Sequence, residues 1–375
     1  MLFIITHPFT PMVTVAKMFG FLSAKTPNKT SGGLFIYSLV LVALFVTILV
    51  LRFLENGKKS EHSLSRVVIY LHIMCYVAIF FANIYSNWFN SKSFIRNLIR
   101  LEFFDYQIKP VFEIDYDKMR NRFYKSFGVF CVMFSVVATI DFVGEIILSK
   151  LDLIIWISFY LPFIYNYFGI FIIFSILFLI NERFNCLKTT LIKMLRGESL
   201  LDFKQFTHLF VELNEICDSM IVNFSLQIAT TFLMVFVNIT TNLYLMLKIK
   251  LSTIHYVMNI NFFLVHLGQV ILIIFVFYLT NNKIRKIVSL SPRIFSIQGK
   301  TKTNLKEQIE CYFLIKENCA HMSVFGMFHL DPSVLLSMGA SIVSYLIILI
   351  QFTDSMPSEA KIRNYHESTL RIRNN

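Results

Sequence analysis

Seven long apolar stretches, at 34–51, 67–89, 127–148, 153–180, 221–247, 256–279 and 333–352, constrain this chain more than anything else in it. A helix needs about 20 apolar residues to cross the hydrocarbon core of a bilayer. It satisfies each backbone N–H and C=O within itself, where no water can. None of the seven alternates apolar with polar residues as the strands of a membrane barrel do. The expected fold is all-α, a polytopic membrane protein with seven transmembrane helices. Of the 375 residues 56% are hydrophobic and 15% charged, against about 25% charged in a soluble domain. With 41 Phe and 16 Tyr, disorder is excluded as well, since it requires low hydrophobicity and high charge.

The net charge of +12 is spread over the connections between apolar runs, not over one aromatic-interleaved face. Anionic membrane lipids are therefore the expected partners, and nucleic acid is not. Lys and Arg in alternate connections total 24 on one side and 11 on the other. The positive-inside rule puts the richer side, which includes the N-terminus, in the cytosol. Seven spans then leave the C-terminus extracellular. Residues 1–33 lack a basic segment directly before an apolar core and a small-residue cleavage site, so the first span is expected to direct insertion. A G-protein-coupled receptor, one alternative, would run the other way, and E/DRY, NPxxY and an outer cysteine pair are missing. A transporter, the other alternative, should show paired broken helices in two related halves.

The cytosolic connections carry signals of structure. Ser199-Leu-Leu-Asp202 and Asn304-Leu-Lys-Glu307 resemble capping boxes, so a helix is expected after each. Beyond Asn304, Leu305, Ile309, Tyr312 and Phe313 recur at helical spacing and form an apolar face that needs a protein partner or the membrane surface. Asp331-Pro332 reads as an N-cap and first helical position, which predicts a break just before the last span. Six cysteines show neither CxxC spacing nor a paired framework. GxSxG, a P-loop, HExxH and GxGxxG are absent, and His72 and His266 have no further ligands at useful spacing. No enzyme, metal or cofactor is expected. The sequons at Asn28 and Asn238 fall in the cytosol and in a helix, so neither should be glycosylated.

The last span ends in Ser344-Tyr345-Leu346-Ile347-Ile348-Leu349-Ile350-Gln351-Phe352. This resembles the insect gustatory receptors, whose hallmark is a C-terminal TYhhhhhQF motif, h being hydrophobic; Ser344 stands here in place of Thr and keeps the hydroxyl. As sequence the resemblance covers about thirty residues, and as architecture the whole chain. It implies a ligand-gated non-selective cation channel opened by a small-molecule tastant. The channel would be a homo- or hetero-tetramer of gustatory receptor subunits in a sensory neuron's plasma membrane. The last helix of each subunit would line a central pore for permeant cations. The implied division is a cytosolic tail (1–33), spans one to six as a ligand-binding bundle with cytosolic helix extensions (34–280), a cytosolic connection with an anchor helix (281–331), the pore helix (332–352) and an extracellular tail (353–375). The sugar-responsive branch tends to carry an acidic residue after the motif Tyr, where Leu346 stands here.

The last helix suggests a pore by its own pattern too. At ~100° per residue, Ser333, Ser337, Ser341, Ser344 and Gln351 fall within an arc of roughly 80°, with Ile347 and Ile348 beside it. A hydroxylated stripe with an apolar collar suits a water-filled path closed by dewetting. Tyr345 and Phe352 share the adjacent face, for packing on a neighbouring helix, and Gln351 with Phe352, one turn beyond the collar, are the second candidates for the gate. The alternative is that small Ser and Ala residues simply permit close packing in lipid.

Candidate ligand contacts gather at the outer ends of the other spans. Asp141 and Glu145, four apart on one helix face, are carboxylates at membrane depth, where such groups usually face a cavity or a partner. They suit an amine or hydroxyl-bearing ligand, or attraction of cations; headgroup contact or pairing with Lys150 is the alternative. His72, Tyr76, Trp156, Tyr160, Asn238, Asn242, Asn261 and His266 lie at similar depth. They offer the apolar wall with few polar groups that small-molecule recognition needs, or else serve as interfacial anchors and interhelical bonds. The orientation has a direct check. An epitope after Asn375 should stain on intact cells, and one before Met1 only after permeabilisation; the reverse would overturn the assigned topology.

Overall fold

The computed structural model describes residues 9–18, 24–26, 29–30, 32–56, 63–112, 114–148, 153–198, 201–248, 253–297, 305–318 and 322–355. The side chains of His72, Glu145 and Phe352, and residues Ser199 and Asn304, lie outside the described set. Ten α-helices are described: α1 (Thr10–Met18), α2 (Gly32–Asn56), α3 (Ser63–Phe89), α4 (Ser91–Ile108), α5 (Tyr116–Phe142), α6 (Leu153–Leu195), α7 (Phe203–Lys248), α8 (Thr253–Leu290), α9 (Leu305–Glu317) and α10 (Ser333–Ser355). A π-helical turn, Val143–Leu148, extends α5, and a 3-10 turn, Ser291–Ile297, extends α8. Each of the seven apolar runs is helical. Five helical stretches, Tyr116–Phe142, Tyr160–Leu195, Phe203–Leu247, Tyr256–Phe295 and Ser333–Gln351, are long and apolar enough to cross a membrane. Gly32–Ile48 and Ile73–Ser86 are shorter apolar helices.

The wholly helical expectation has two small exceptions. Ala24–Thr26 (β1) pairs antiparallel with Lys29–Thr30 (β2), and Ser323–Val324 (β3) with Phe328–His329 (β4). The second hairpin turns through Phe325 and Gly326, both at positive φ, closed by the amide of Met327 on the carbonyl of Val324 at 2.9 Å. Two positive-φ residues give the turn the twist that a two-residue hairpin needs.

At about 1.5 Å per residue, α6 with 43 residues and α7 with 46 are about twice as long as a hydrocarbon core of about 30 Å. The excess is the charged C-terminal part of α6 and the charged N-terminal part of α7. These extensions have an apolar core of their own, with Phe184, Leu187, Leu191, Phe206, Phe210 and Leu213 all buried. Helix α4 lies against α7 and buries Phe94, Ile95, Leu98, Leu101 and Phe104, a helical stripe. Asn97 Nδ2 donates to Ser219 Oγ at 2.7 Å, and Arg100 pairs with Glu215 at 2.8 Å.

Asp105 falls on that same buried face, where a lone carboxylate would be costly. It is not alone. The guanidinium of Arg183 on α6 donates to both carboxylate oxygens, Nε at 2.9 Å and Nη2 at 2.5 Å, and its Nη1 donates to the carbonyl of Leu179 at 2.8 Å. Tyr116 Oη donates to Asp105 at 3.2 Å, and the Phe9 ring lies 5.4 Å from the guanidinium carbon. Both charged side chains are 1% exposed. One ion pair thus gathers α4, α5, α6 and the segment leading into α1.

One capping expectation and one helix-face expectation are revised in detail. Asp202 stands at the threshold of α7, not one turn inside it: its Oδ1 accepts from the Phe203 amide at 2.8 Å and its carbonyl from the Phe206 amide at 2.9 Å. Helix α9 buries Gln308, Cys311 and Ile315, a different face from the apolar stripe. Leu305, Ile309 and Phe313 of that stripe are exposed, while Tyr312 lies edge-on to Phe295. At the break before α10, Asp331 Oδ1 accepts from the amide of Ser333 at 2.9 Å and from its hydroxyl. These bonds hold the Asp331 carboxyl below its ordinary range.

Removing one partner of a buried ion pair leaves an uncompensated charge, at a cost of about 3–5 kcal/mol. Asp105→Ala should therefore greatly lower the thermal midpoint of the detergent-solubilised protein. Asp105→Leu with Arg183→Met, which removes both charges, should recover most of it. Glu215→Ala, which breaks the exposed pair, should change stability by less than about 1 kcal/mol.

Candidate functional site

The C-terminal end of α5 and the N-terminal ends of α6 and α8 meet around Asp141. Asp141 is 5% exposed. Tyr160 Oη of α6 donates to one oxygen, and Asn261 Nδ2 of α8 donates to the other at 3.0 Å. Around them the rings form a continuous wall. Trp156 stacks on Tyr160 (4.2 Å, 20°), Phe142 meets Trp156 edge-on at 5.3 Å, and Phe163 meets Tyr160 edge-on at 5.7 Å. Phe163 and Phe262 in turn flank the ring of His266 at 5.7 and 4.3 Å.

His266 is fully buried between two amides. Its Nδ1 lies 3.2 Å from Gln269 Oε1, and its Nε2 lies 3.3 Å from Asn238 Nδ2 of α7. A neutral ring protonated on Nδ1 satisfies both, donating to Gln269 and accepting from Asn238. Several buried polar atoms nearby have no hydrogen-bond partner among the described residues: Trp156 Nε1, Asn238 Oδ1, Asn242 Nδ2 and Gln269 Nε2.

The turn after Asp141 is what joins α5 to α8. The chain widens there into the π-helical turn, and Gly144 faces α8 so closely that a Cβ on it would lie 2.4 Å from Met258 Sδ. An open, almost wholly apolar cleft of about 420 Å³ flanks this contact, lined by Thr139, Ile140, Val143 and Gly144 on one side and Thr253, Val257 and Met258 on the other.

Of the ten candidate ligand contacts, Asp141, Trp156, Tyr160 and Asn261 are brought together here. Asn238 and His266 join them through Phe163. Asn242 is buried one turn beyond Asn238, and Tyr76 is buried in the core on α3. Phe142, Phe163, Phe262 and Gln269 are part of the arrangement but are absent from the sequence-derived set. Helical spacing was their signal: Phe163 lies three residues from Tyr160, and Phe262 and Gln269 lie four and three from His266. Among the described residues no group of three or more His, Cys, Asp or Glu is placed to hold a metal ion.

Deeper in the bundle, polar side chains of α3, α6 and α7 meet in a buried layer. Thr231 Oγ1 donates to Asn166 Oδ1 at 2.8 Å, and Gln227 lies against Gly169 and near Asn83, with Asn83, Asn166 and Gln227 all buried. A Cβ on Gly169 would stand 1.9 Å from Gln227 Nε2, so a larger residue there would force that buried carboxamide to shift.

Helix α10 contrasts with this packing. From Ser333 to Gln351 only Ile342 is buried, and the helix packs mainly against α7. Ser337, Ser341, Ser344, Ile347, Ile348 and Gln351 are all exposed. The hydroxyls of Ser341 and Ser344 donate to the carbonyls of Ser337 and Ala340, at 2.9 and 3.0 Å. Tyr345 lies edge-on against Phe236 of α7, 5.5 Å between centroids at 83°.

Residues 9–356 match the family profile described as 7tm chemosensory receptor. The chain belongs to that family. It is a multi-pass membrane receptor, as the C-terminal motif led one to expect. Two structures of the insect olfactory receptor OR5 from Machilis hrabei, one of them in complex with eugenol, share its fold. Their TM-scores are 0.68 for the complex and 0.66 without the ligand, at 11% identity over 92% of this chain and 97% of theirs. A comparison with curated proteins gives no match.

The layer around Gly169 yields a prediction for the receptor. Gly169→Ala overpacks a close-fitting core and should destabilise by about 1–3 kcal/mol. Gln227→Ala in the same chain should relieve the clash, both read as thermal midpoints.

Proposed function

We propose that this receptor is a subunit of a ligand-gated, non-selective cation channel opened by a small-molecule tastant in the plasma membrane of a sensory neuron. All seven apolar helices span the membrane in this reading, with the N-terminus cytosolic and the C-terminus outside. The observation that carries it is the exposure of α10. A helix this apolar, with a hydroxylated stripe and a single principal packing partner, completes its surroundings in an assembly. Four copies, of this chain or with related subunits, would bring the stripe of Ser337, Ser341, Ser344 and Gln351 to a common axis. Tyr345 then fastens each α10 to its own α7, and α9 presents Leu305, Ile309 and Phe313 to neighbouring subunits. That the related fold of OR5 is recorded with eugenol bound supports a small organic molecule as the stimulus. The cluster around Asp141 is the proposed site for it.

Gating follows from the apolar collar. Where Ile347 or Ile348 meets its symmetry mates, side chains offer water no hydrogen bonds, and a narrow path empties. One polar substitution alters four side chains of a symmetric tetramer. At ~0.5 kcal/mol each, the bias sums to about 2 kcal/mol, a shift of about thirtyfold in the open-to-closed ratio. Ile347→Ser, Ile348→Ser and Gln351→Ala should therefore raise ligand-free cation current or change ion selectivity at matched surface expression. Parent-level current and selectivity in all three would remove α10 from the conduction path.

A further inference from the structure

We propose that the site around Asp141 selects ligands that carry a protonated amine, with the Asp141 carboxylate as their counter-ion. The inference rests on the reading of this cluster as the ligand site and adds the chemical class. Asp141 is almost fully buried, yet among the described residues it forms no ion pair; its two hydrogen bonds come from neutral donors, Tyr160 Oη and Asn261 Nδ2. Neutral donors reduce the desolvation penalty of a carboxylate without cancelling its charge. Contrast Asp105, equally buried, which receives a bidentate guanidinium. A carboxylate has about four lone-pair positions, and these two donors occupy half of them. An ammonium can take the rest.

The walls suit the same cation. Tyr160, which binds the carboxylate, stacks on Trp156 at 4.2 Å, and Phe142 meets Trp156 edge-on at 5.3 Å; aromatic faces attract ammonium groups. The indole nitrogen of Trp156, on the ring stacked against Tyr160, is buried without a partner among the described residues. The proposed ligand is thus a small aryl or alkyl amine. An apolar cleft of about 420 Å³ opens between α8 and the end of α5, where Gly144 meets Met258 one helical turn from the Asp141–Asn261 bond.

The chain has two tryptophans, so Trp88→Phe leaves Trp156 as the sole indole reporter. The full-length protein in lipid nanodiscs would be titrated with phenethylamine, with 2-phenylethanol of the same shape but no charge, and with sucrose as a neutral polyol. Phenethylamine should change Trp156 emission saturably, with half-saturation at least about tenfold below that of 2-phenylethanol. Asp141→Asn, shown to be folded by its thermal midpoint, should abolish that preference. Should Asp141→Asn fail to fold, the preference in the otherwise unaltered protein decides alone. Equal or reversed preference, no response to phenethylamine, or a preference that survives Asp141→Asn overturns the proposal. Amine binding with this preference but without current in expressing cells would uphold the amine site and remove the channel reading. Current evoked equally by 2-phenylethanol or sucrose in the parent and in Asp141→Asn would do the opposite.

Discussion

A guanidinium with 1% of its side chain exposed has no water to solvate it, and the structure is arranged to replace that water. Arg183 spends its donors on both oxygens of Asp105 and on the carbonyl of Leu179, while Tyr116 and Phe9 close the remaining sides. The pair holds in register four elements that apolar packing alone would allow to slide. It also fixes where α6 leaves the extension with α4 and enters the bundle. Mutually bonded buried charges of this kind specify geometry more surely than they add stability.

From Arg183 the spine of the molecule is α6. One helix carries the ion pair, then Gly169 and Asn166 in the polar layer, then Phe163, Tyr160 and Trp156 at the cluster around Asp141. The ion pair faces α4, the polar layer faces α7, and the aromatic cluster faces α5 and α8. A displacement of Tyr160 by a ligand at Asp141 would act on Phe163, and Asn166 one turn further, whose partner is Thr231 of α7. Helix α7 in turn holds α10 through Phe236 and Tyr345. In the proposed channel this is a contiguous physical route from ligand to gate. Its joints are buried amides and rings with discrete arrangements, the kind of contact that can carry a two-state change.

Much of this was legible in the sequence because a bilayer leaves so few choices. The apolar runs located the helices, and a short motif around Tyr345 and Gln351 pointed to the family. Asp141 stood out because a carboxylate in an apolar run needs a reason. Asp105 did not, because it lies in a charged connection where acidic residues are ordinary. Only the stripe from Phe94 to Ile108 shows that it faces inward, and its partner is 78 residues away. Phe163 and Phe262 were hidden by abundance, two among 41 phenylalanines. Gly169 was invisible for another reason: its importance lies in the side chain of Gln227, on another helix. The face of α9 was misread in part, since Gln308 and Cys311 are buried against neighbours that no local pattern reveals.

The central claim is that α10 faces water in a conducting assembly, not lipid. Cysteine placed at Ser344 or Ile347 tests it, with a charged methanethiosulfonate applied during ligand-evoked current. The five described native cysteines are free, four of them buried and Cys131 partly so, and the unaltered receptor serves as the control for their background. The account predicts rapid modification and loss of current at both positions while ligand is present, with slower modification at Ile347 in its absence. Current unaffected at both positions, in receptors that reach the surface and respond to ligand, would contradict it.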